Sequence, residues 1–153
     1  MSTTLFNNQE EIDATKLFEQ YKLYVELTDR VGQRRATANS FFITANAALL
    51  TVASWFQKDF GTYLYLLAVV GILLSLFWFF SILSYKQLSA GRFKVICEIE
   101  KRLPLSMFAY EWNILKEGKD VTVYWPLSKI ERIIPFIFVA LYIILSIVVK
   151  VEV

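Results

Sequence analysis

The sequence predicts an all-α integral membrane protein with three transmembrane helices, a long amphipathic N-terminal helix and a helical cytoplasmic loop. Residues 60–85 carry no charged side chain, and neither do residues 133–149. A helix rises about 1.5 Å per residue and the bilayer core is about 30 Å thick, so about 20 apolar residues cross it. Because residues 62–84 are apolar on every face, we expect this helix to lie in lipid.

Composition limits the chemistry that the chain can perform. Apolar residues make up 56% and charged residues 20%, compared with about 45–50% and about 25% in soluble domains. Histidine is absent, which excludes imidazole bases and most zinc and haem sites. The single cysteine, Cys97, cannot form an internal disulfide and is expected to be a small buried residue. No nucleotide-binding or catalytic motif is present, so we expect neither enzymatic activity nor a cofactor.

The first predicted span covers residues 36–57, and a short external turn at 58–61 joins it to the second span at 62–84. The first span is uncharged but polar, and its candidate pore-lining or helix-packing residues are Asn39, Asn46, Thr44, Ala48 and Thr51. One interpretation is a water-lined face in a ring of subunits, because Asn39, Asn46 and Ala53 recur every seven residues. The other is helix packing, which we favour because small residues and single amides commonly hold membrane helices together.

Basic residues predict the orientation of the spans. Fourteen of the 16 Lys and Arg residues lie before the first span or between the second and third, and two lie on the other side. The positive-inside rule then places the N-terminus and the long loop in the cytoplasm and the C-terminus outside. Predicted membrane-interface anchors flank the spans: Arg34, Arg35, Trp55, Lys58, Tyr85, Trp125 and Lys150.

The N-terminal segment, residues 1–35, predicts an amphipathic helix that continues into the first span. Asn8 is its expected cap, and Asp13 is expected in its first turn. Its apolar residues keep a spacing of three and four, which favours packing against a partner helix. The residues expected to pack within this collar or between subunits are Leu17, Tyr21, Tyr24, Val31 and, from the loop, Trp112.

The cytoplasmic segment, residues 85–132, contains two further helical patterns, the first ended by Pro104 and the second by Gly118. Residues 121–125 are expected to be extended. Glu98 and Glu100 point to different helix faces, so they are interpreted as solvated or ion-paired charges rather than an acid/base pair. Residues 133–149 then form the third span, and residues 150–153 an external tail.

Basic residues in the loop are matched by acidic ones, so we expect contact with membrane lipids and no nucleic-acid partner. No small-molecule substrate is evident. A loop segment this short is not expected to be stable alone, which favours packing on the N-terminal helix and on other subunits, as a homo-oligomer.

Several motifs resemble one known family. They are Arg30, Arg34-Arg35, residues 38–42 (ANSFF), Asn46, residues 84–88 (SYKQL), residues 91–96 (GRFKVI), Ile99-Glu100, Leu103-Pro104, residues 110–112 (YEW) and Gly118-Lys119. In this combination they are similar to the RipA-family octameric membrane proteins. The resemblance implies a homo-oligomer of the bacterial inner membrane, a ring of eight, and it carries no catalytic signature.

A weaker similarity links the hairpin of spans and the cytoplasmic helices to two-span effector domains of anti-phage systems, which implies membrane disruption. Two functions are therefore expected. The first is a non-enzymatic, ring-forming scaffold or organiser. The alternative is an oligomeric pore or channel, including a defence effector of this kind.

Overall fold

A computed structural model describes residues 5–6, 13–55 and 61–152 of the chain. It consists of five α-helices in the order α1 (Ala14–Trp55), α2 (Gly61–Glu100), α3 (Met107–Ile114), α4 (Leu127–Glu131) and α5 (Ile134–Glu152), with a 3-10 turn at Lys116–Gly118. Three of its helical segments are long and apolar enough to cross a membrane. The described residues form no strand, and the predicted fold class is confirmed.

The chain forms two compact units. The collar unit comprises Met1–Gln33 and Lys86–Pro126, and the span unit comprises Arg34–Tyr85 and Leu127–Val153. Since α1 and α2 are continuous helices of 42 and 40 residues, each contributes one part to each unit. No proline interrupts either helix, which is why neither breaks between its polar and its apolar part.

Asp13 caps α1. Its Oδ1 accepts the backbone N–H groups of Thr15 and Lys16, at 2.9 and 3.3 Å. These hydrogen bonds, that of Lys16 first, hold the pKa of the Asp13 carboxyl below its ordinary value. The prediction that Asp13 lies in the first turn is therefore wrong. The residue lies before the helix, and its side chain accepts hydrogen bonds from the N–H groups that have no carbonyl of a preceding turn to bind. Asn8 lies outside the described residues.

The core of the collar unit is formed by α1 and α2. Leu17, Tyr21, Ile96 and Ile99 are buried together, at the three-to-four spacing that lines one face of a helix. Around them pack Phe6, Tyr24, Val25, Val95, Leu103 and Phe108. The contact continues toward the middle of α1, where Arg92 Nη1 donates to the backbone carbonyl of Leu27 at 2.6 Å.

A tight turn follows α3. Lys116, Glu117 and Gly118 have φ values of 49°, 55° and 66°, a left-handed conformation that favours glycine. A Cβ atom on Gly118 would lie 3.0 Å from Pro126 Cγ and 3.4 Å from Trp112 Cη2, so glycine lets these two rings close over the turn.

The expected extended segment at 121–125 is wrong for residues 121–123, which form a turn. The cause is Asp120: its Oδ1 accepts both the backbone N–H and the hydroxyl of Thr122, at 3.0 and 2.6 Å. Aspartate commonly stabilises a turn in this way. Lys116 Nζ and Thr122 together hold the pKa of Asp120 below its ordinary value.

Candidate functional site

The most buried polar groups of the span unit lie where α1, α2 and α5 meet. Asn46, Ser75 and Tyr142, one from each helix, have fully buried side chains. A polar side chain in lipid is costly unless it is hydrogen-bonded. The bonds of these three residues therefore decide how the three helices are held together.

Asn46 is the common acceptor of this cluster. The Ser75 hydroxyl lies 3.1 Å from Asn46 Oδ1 and 2.8 Å from the carbonyl of Gly71, and its single proton can be donated to either oxygen. The Tyr142 hydroxyl lies 3.1 Å from Asn46 Oδ1 and 3.2 Å from the Asn46 carbonyl. Asn46 Nδ2 in turn donates to the Phe42 carbonyl at 2.9 Å. All three side chains are thus satisfied within one subunit, and the cluster connects all three spanning helices.

Gly71 makes room for the Tyr142 ring. A Cβ atom at position 71 would lie 2.1 Å from Cζ of Tyr142 and 2.4 Å from Cε1 and Cε2. Real side chains do not approach this closely, so only glycine permits α2 and α5 to pack at this distance. Glycine at a helix contact of this kind is common in membranes.

Removing the Tyr142 hydroxyl tests how much this cluster contributes. We expect Tyr142→Phe to keep the packing against Gly71 but to lower the free energy of unfolding by about 1 kcal/mol, the usual scale for a hydrogen bond between membrane helices. The measurement is the unfolding midpoint in mixed detergent micelles. Ser146→Ala is the matched control, since the Ser146 hydroxyl donates only to the Tyr142 carbonyl of its own helix. Equal midpoints for the two variants would contradict the assignment.

A second cross-helix contact joins α1 and α2. Trp78 Nε1 donates to Asn39 Oδ1 at 2.9 Å, and the Trp78 ring stacks on Phe42 with centroids 5.7 Å apart. Phe42, Trp78 and Ile82 form a buried cluster. The structure therefore places both asparagines of the first span, Asn39 and Asn46, against other helices of the same subunit. Ala53 is also buried, beside Leu64.

The other candidate residues of the first span lie elsewhere. Thr44, Ala48 and Thr51 are exposed in the subunit. Together with Ser40 and Ala47, which are also exposed, they share one side of α1 by helical spacing. We call these five residues the small-residue face. The Thr51 hydroxyl donates to the Ala47 carbonyl of its own helix at 2.9 Å, a bond that removes its need for water.

One predicted anchor has a specific partner. Arg35 Nη2 forms an ion pair with Glu131 Oε2, and both side chains are largely buried, with 17% and 13% exposed. Of the remaining anchors, Arg34, Trp55 and Trp125 are exposed and Tyr85 is half-buried. Lys58 and the side chain of Lys150 lie outside the described residues.

In the collar unit, the Glu100 carboxylate is the central polar group. It is fully buried and accepts the Tyr21 hydroxyl at 3.0 Å. It also accepts the backbone N–H groups of Phe108 and Ala109, at 2.9 and 3.1 Å. A carboxylate at this position satisfies the unpaired N–H groups that begin α3 and is favoured by the helix dipole. The prediction that Glu100 is a surface charge is therefore wrong, whereas Glu98 is exposed and pairs with Lys101.

Tyr21 remains a hydrogen-bond donor at every physiological pH. Burial, followed by the hydrogen bond to Glu100, raises the pKa of its hydroxyl to about 12. Burial also raises the pKa of the Cys97 thiol, which lowers its reactivity as a nucleophile. Both groups are thus suited to structural rather than chemical roles.

Four of the five predicted collar residues pack within the unit. Leu17 and Tyr21 belong to its core, and Tyr24 packs against that core. Val31 is buried, and the Trp112 ring contacts Phe93 edge-on with centroids 5.6 Å apart. Among the described residues, no group of three or more His, Cys, Asp or Glu side chains could hold a metal ion.

Comparison with known proteins shows what kind of assembly this subunit builds. The profile of the octameric membrane protein family (8xMP) matches residues 18–151, which include all five helices except the first turn of α1 and the end of α5. The chain belongs to this family. No curated protein and no solved structure matches the chain.

As an octameric membrane protein, the chain presents surfaces to its neighbours as well as to lipid. The resemblance drawn from the sequence motifs is confirmed by the family match. The matched residues include Glu100 and the cluster of Asn46, Ser75 and Tyr142. The sequence patterns did not single out Ser75, Tyr142, Gly71 or Glu131. Their partners are distant along the chain. Nothing in their local spacing distinguishes Ser75, Tyr142 and Gly71 from ordinary residues of an apolar helix, or Glu131 from an ordinary surface charge.

Proposed function

We propose that this protein is a non-enzymatic scaffold subunit of a homo-octameric ring in the bacterial inner membrane. Its N-terminus and the segment 85–132 face the cytoplasm, and its C-terminus lies outside. The observation that carries the proposal is that the fully buried polar side chains of the described residues make structural hydrogen bonds. Asn46, Ser75, Tyr142 and Glu100 tie helices to one another, and such groups stabilise a static assembly.

The small-residue face of α1 supports a packing role. Its residues, defined above, are exposed in the single subunit, and small side chains let a neighbouring helix approach closely. In an octamer every subunit has neighbours to cover this face. The Thr51 hydroxyl bonds to its own helix, so a dry contact leaves no polar group of this residue unpaired.

The distribution of charge supports the orientation. Lys and Arg residues are concentrated in the segments assigned to the cytoplasm, fourteen against two. Positive residues are retained on the cytoplasmic side during insertion and are attracted by anionic lipid there. Arg34, at the start of the span unit, is exposed and is available to contact lipid headgroups.

A pore is the second candidate, favoured by the same face. If the small-residue face pointed into the centre of the ring, hydroxyl groups such as those of Ser40 and Thr44 would line it. Asn46 would not, because its side chain is fully buried in the subunit. A pore of this kind could act as a channel or as a membrane-disrupting defence effector.

Electrical recording separates the two functions. We expect the purified octamer to produce no current in planar lipid bilayers, and Thr44→Leu to leave the recording unchanged. Stepwise currents that Thr44→Leu abolishes would overturn the scaffold and establish the pore. Phe77→Leu is the matched control, because Phe77 is exposed on α2, away from the small-residue face. Toxicity on overexpression, relieved by Thr44→Leu but not by the control, would point the same way.

A further inference from the structure

Helix α3 has apolar residues on two sides, and the described part of the chain covers only one of them. On the inner side Phe108 packs against the collar core and Trp112 contacts Phe93. On the outer side Met107, Tyr110 and Ile114 are exposed by 54%, 70% and 57%. Their spacing of three and four places them in one row along the helix. A helix with apolar residues on two sides is normally covered on both of them.

The row continues into a groove of the same unit. The groove has a volume of about 330 Å³ and is lined by Ala14, Phe18, Tyr21, Arg102, Leu103, Pro104, Leu105 and Met107. Of these, Leu105 and Phe18 are 67% and 47% exposed. We call the row and the groove together the α3 face. Contiguous apolar surface of this kind in a water-exposed part of a protein marks an interaction site.

We propose that the α3 face is the surface through which the collar unit contacts a neighbouring copy of this chain. This inference rests on the proposed octameric scaffold and adds the site at which its subunits meet outside the membrane. Because the family is octameric, a second copy is available to every subunit. A ring closes when one surface of each subunit meets a different surface of the next. The α3 face offers two such surfaces, because the exposed row of one copy can enter the groove of the next.

Charge argues against a lipid occupant of this face. Surfaces that bind the anionic inner leaflet carry Lys or Arg beside their apolar residues. The charged residue of α3 is Glu111, which is exposed and lies beside the outer row. Arg102, the basic residue among the described residues that line the groove, places its guanidinium over the Phe6 ring, 3.8 Å from the centroid. An acidic helix and an arginine at the rim of an apolar groove also complement each other across a contact between copies.

Photo-crosslinking in native membranes tests this proposal. A benzophenone amino acid at position 110 is expected to give covalent dimers of this chain, whereas the same group at position 20 is not, since Gln20 is exposed on α1 away from the α3 face. Adducts of position 110 with lipid alone, or with a different protein, would overturn the proposal.

A second variant covers the case in which the photo-reaction is inefficient. Tyr110→Glu is expected to abolish the octamer in native mass spectrometry while leaving helix content unchanged, because Tyr110 is exposed in the subunit and does not hold its fold. Gln20→Glu is expected to leave the octamer intact. An intact Tyr110→Glu octamer would overturn the α3 contact but leave the scaffold standing. An octamer that conducts ions would instead overturn the scaffold.

Discussion

Gly71→Ala is expected to lower the free energy of unfolding by about 3 kcal/mol, because an added methyl group in a filled core forces its neighbours apart. The methyl group would overlap the Tyr142 ring, with 2.1 Å between Cβ and Cζ. Tyr142 is fully buried, so its ring has no free space to enter. As it moves away, its hydroxyl loses the hydrogen bond to Asn46, and α5 keeps only its other contacts, such as that of Phe138 with Trp78.

The measurement is the unfolding midpoint in mixed micelles, with Gly91→Ala as the control. Nothing lies within 4 Å of a Cβ atom at position 91, so this change should be neutral or stabilising by up to about 1 kcal/mol, through helix propensity alone. In the double variant Gly71→Ala with Tyr142→Ala, the loss in free energy of unfolding should be much smaller than the sum of the losses in the two single variants. The reason is that both changes act on one contact. Additive losses would mean that the ring does not pack on Gly71.

Glu100→Leu is expected to destabilise the collar unit by about 3 kcal/mol, since it leaves one buried and two partly buried hydrogen-bond donors without an acceptor. The donors are the Tyr21 hydroxyl and the backbone N–H groups of Phe108 and Ala109. Leucine has a similar volume, so the loss would come from the missing carboxylate. Hydrogen exchange measures the effect, and we expect the amides of Phe108 and Ala109 to lose their protection first.

Glu98→Leu is the matched control for this change. Glu98 is exposed, and its described ion pair is with Lys101, the residue directly after the end of α2. Exposed pairs of this kind contribute little, so exchange at Phe108 and Ala109 should remain slow. In Tyr21→Phe, the exchange rates of these amides should lie between those in Glu98→Leu and Glu100→Leu, because this change removes one of the three hydrogen bonds to Glu100. If Glu100→Leu left both amides protected, the carboxylate would not be the cap of α3.

The sequence was sufficient to predict the spans and the fold class because a long uncharged helix, apolar on every face, is stable in lipid and not in water. It also indicated that the polar residues of the first span have a role, either in helix packing or in lining a pore. It did not distinguish Asn46, which is buried in the subunit, from Thr44, which is exposed only two residues away. Both are polar residues of one apolar helix, and only the positions of α2 and α5 decide which side is covered.

Glu100 shows the same limit in the collar unit. From its position near Glu98 and Lys101 it resembles a solvated charge on the polar end of a helix. Its burial depends on the chain reversing after Pro104, so that α3 begins directly above the carboxylate. Likewise, Arg35 and Glu131 are 96 residues apart, and neither has a local feature that predicts the ion pair. Contacts between distant segments, rather than local patterns, determine these roles.

Cysteine accessibility along α1 tests most directly whether the small-residue face is covered by a neighbouring subunit or faces water. In a Cys97→Ala background, Thr44→Cys, Ala48→Cys and Thr51→Cys are exposed to a membrane-impermeant thiol reagent in the intact octamer, with Glu98→Cys as the positive control. We predict labelling of the control and none at the other three positions. Labelling of all three in intact octamers would show that they line water, and it would contradict the scaffold.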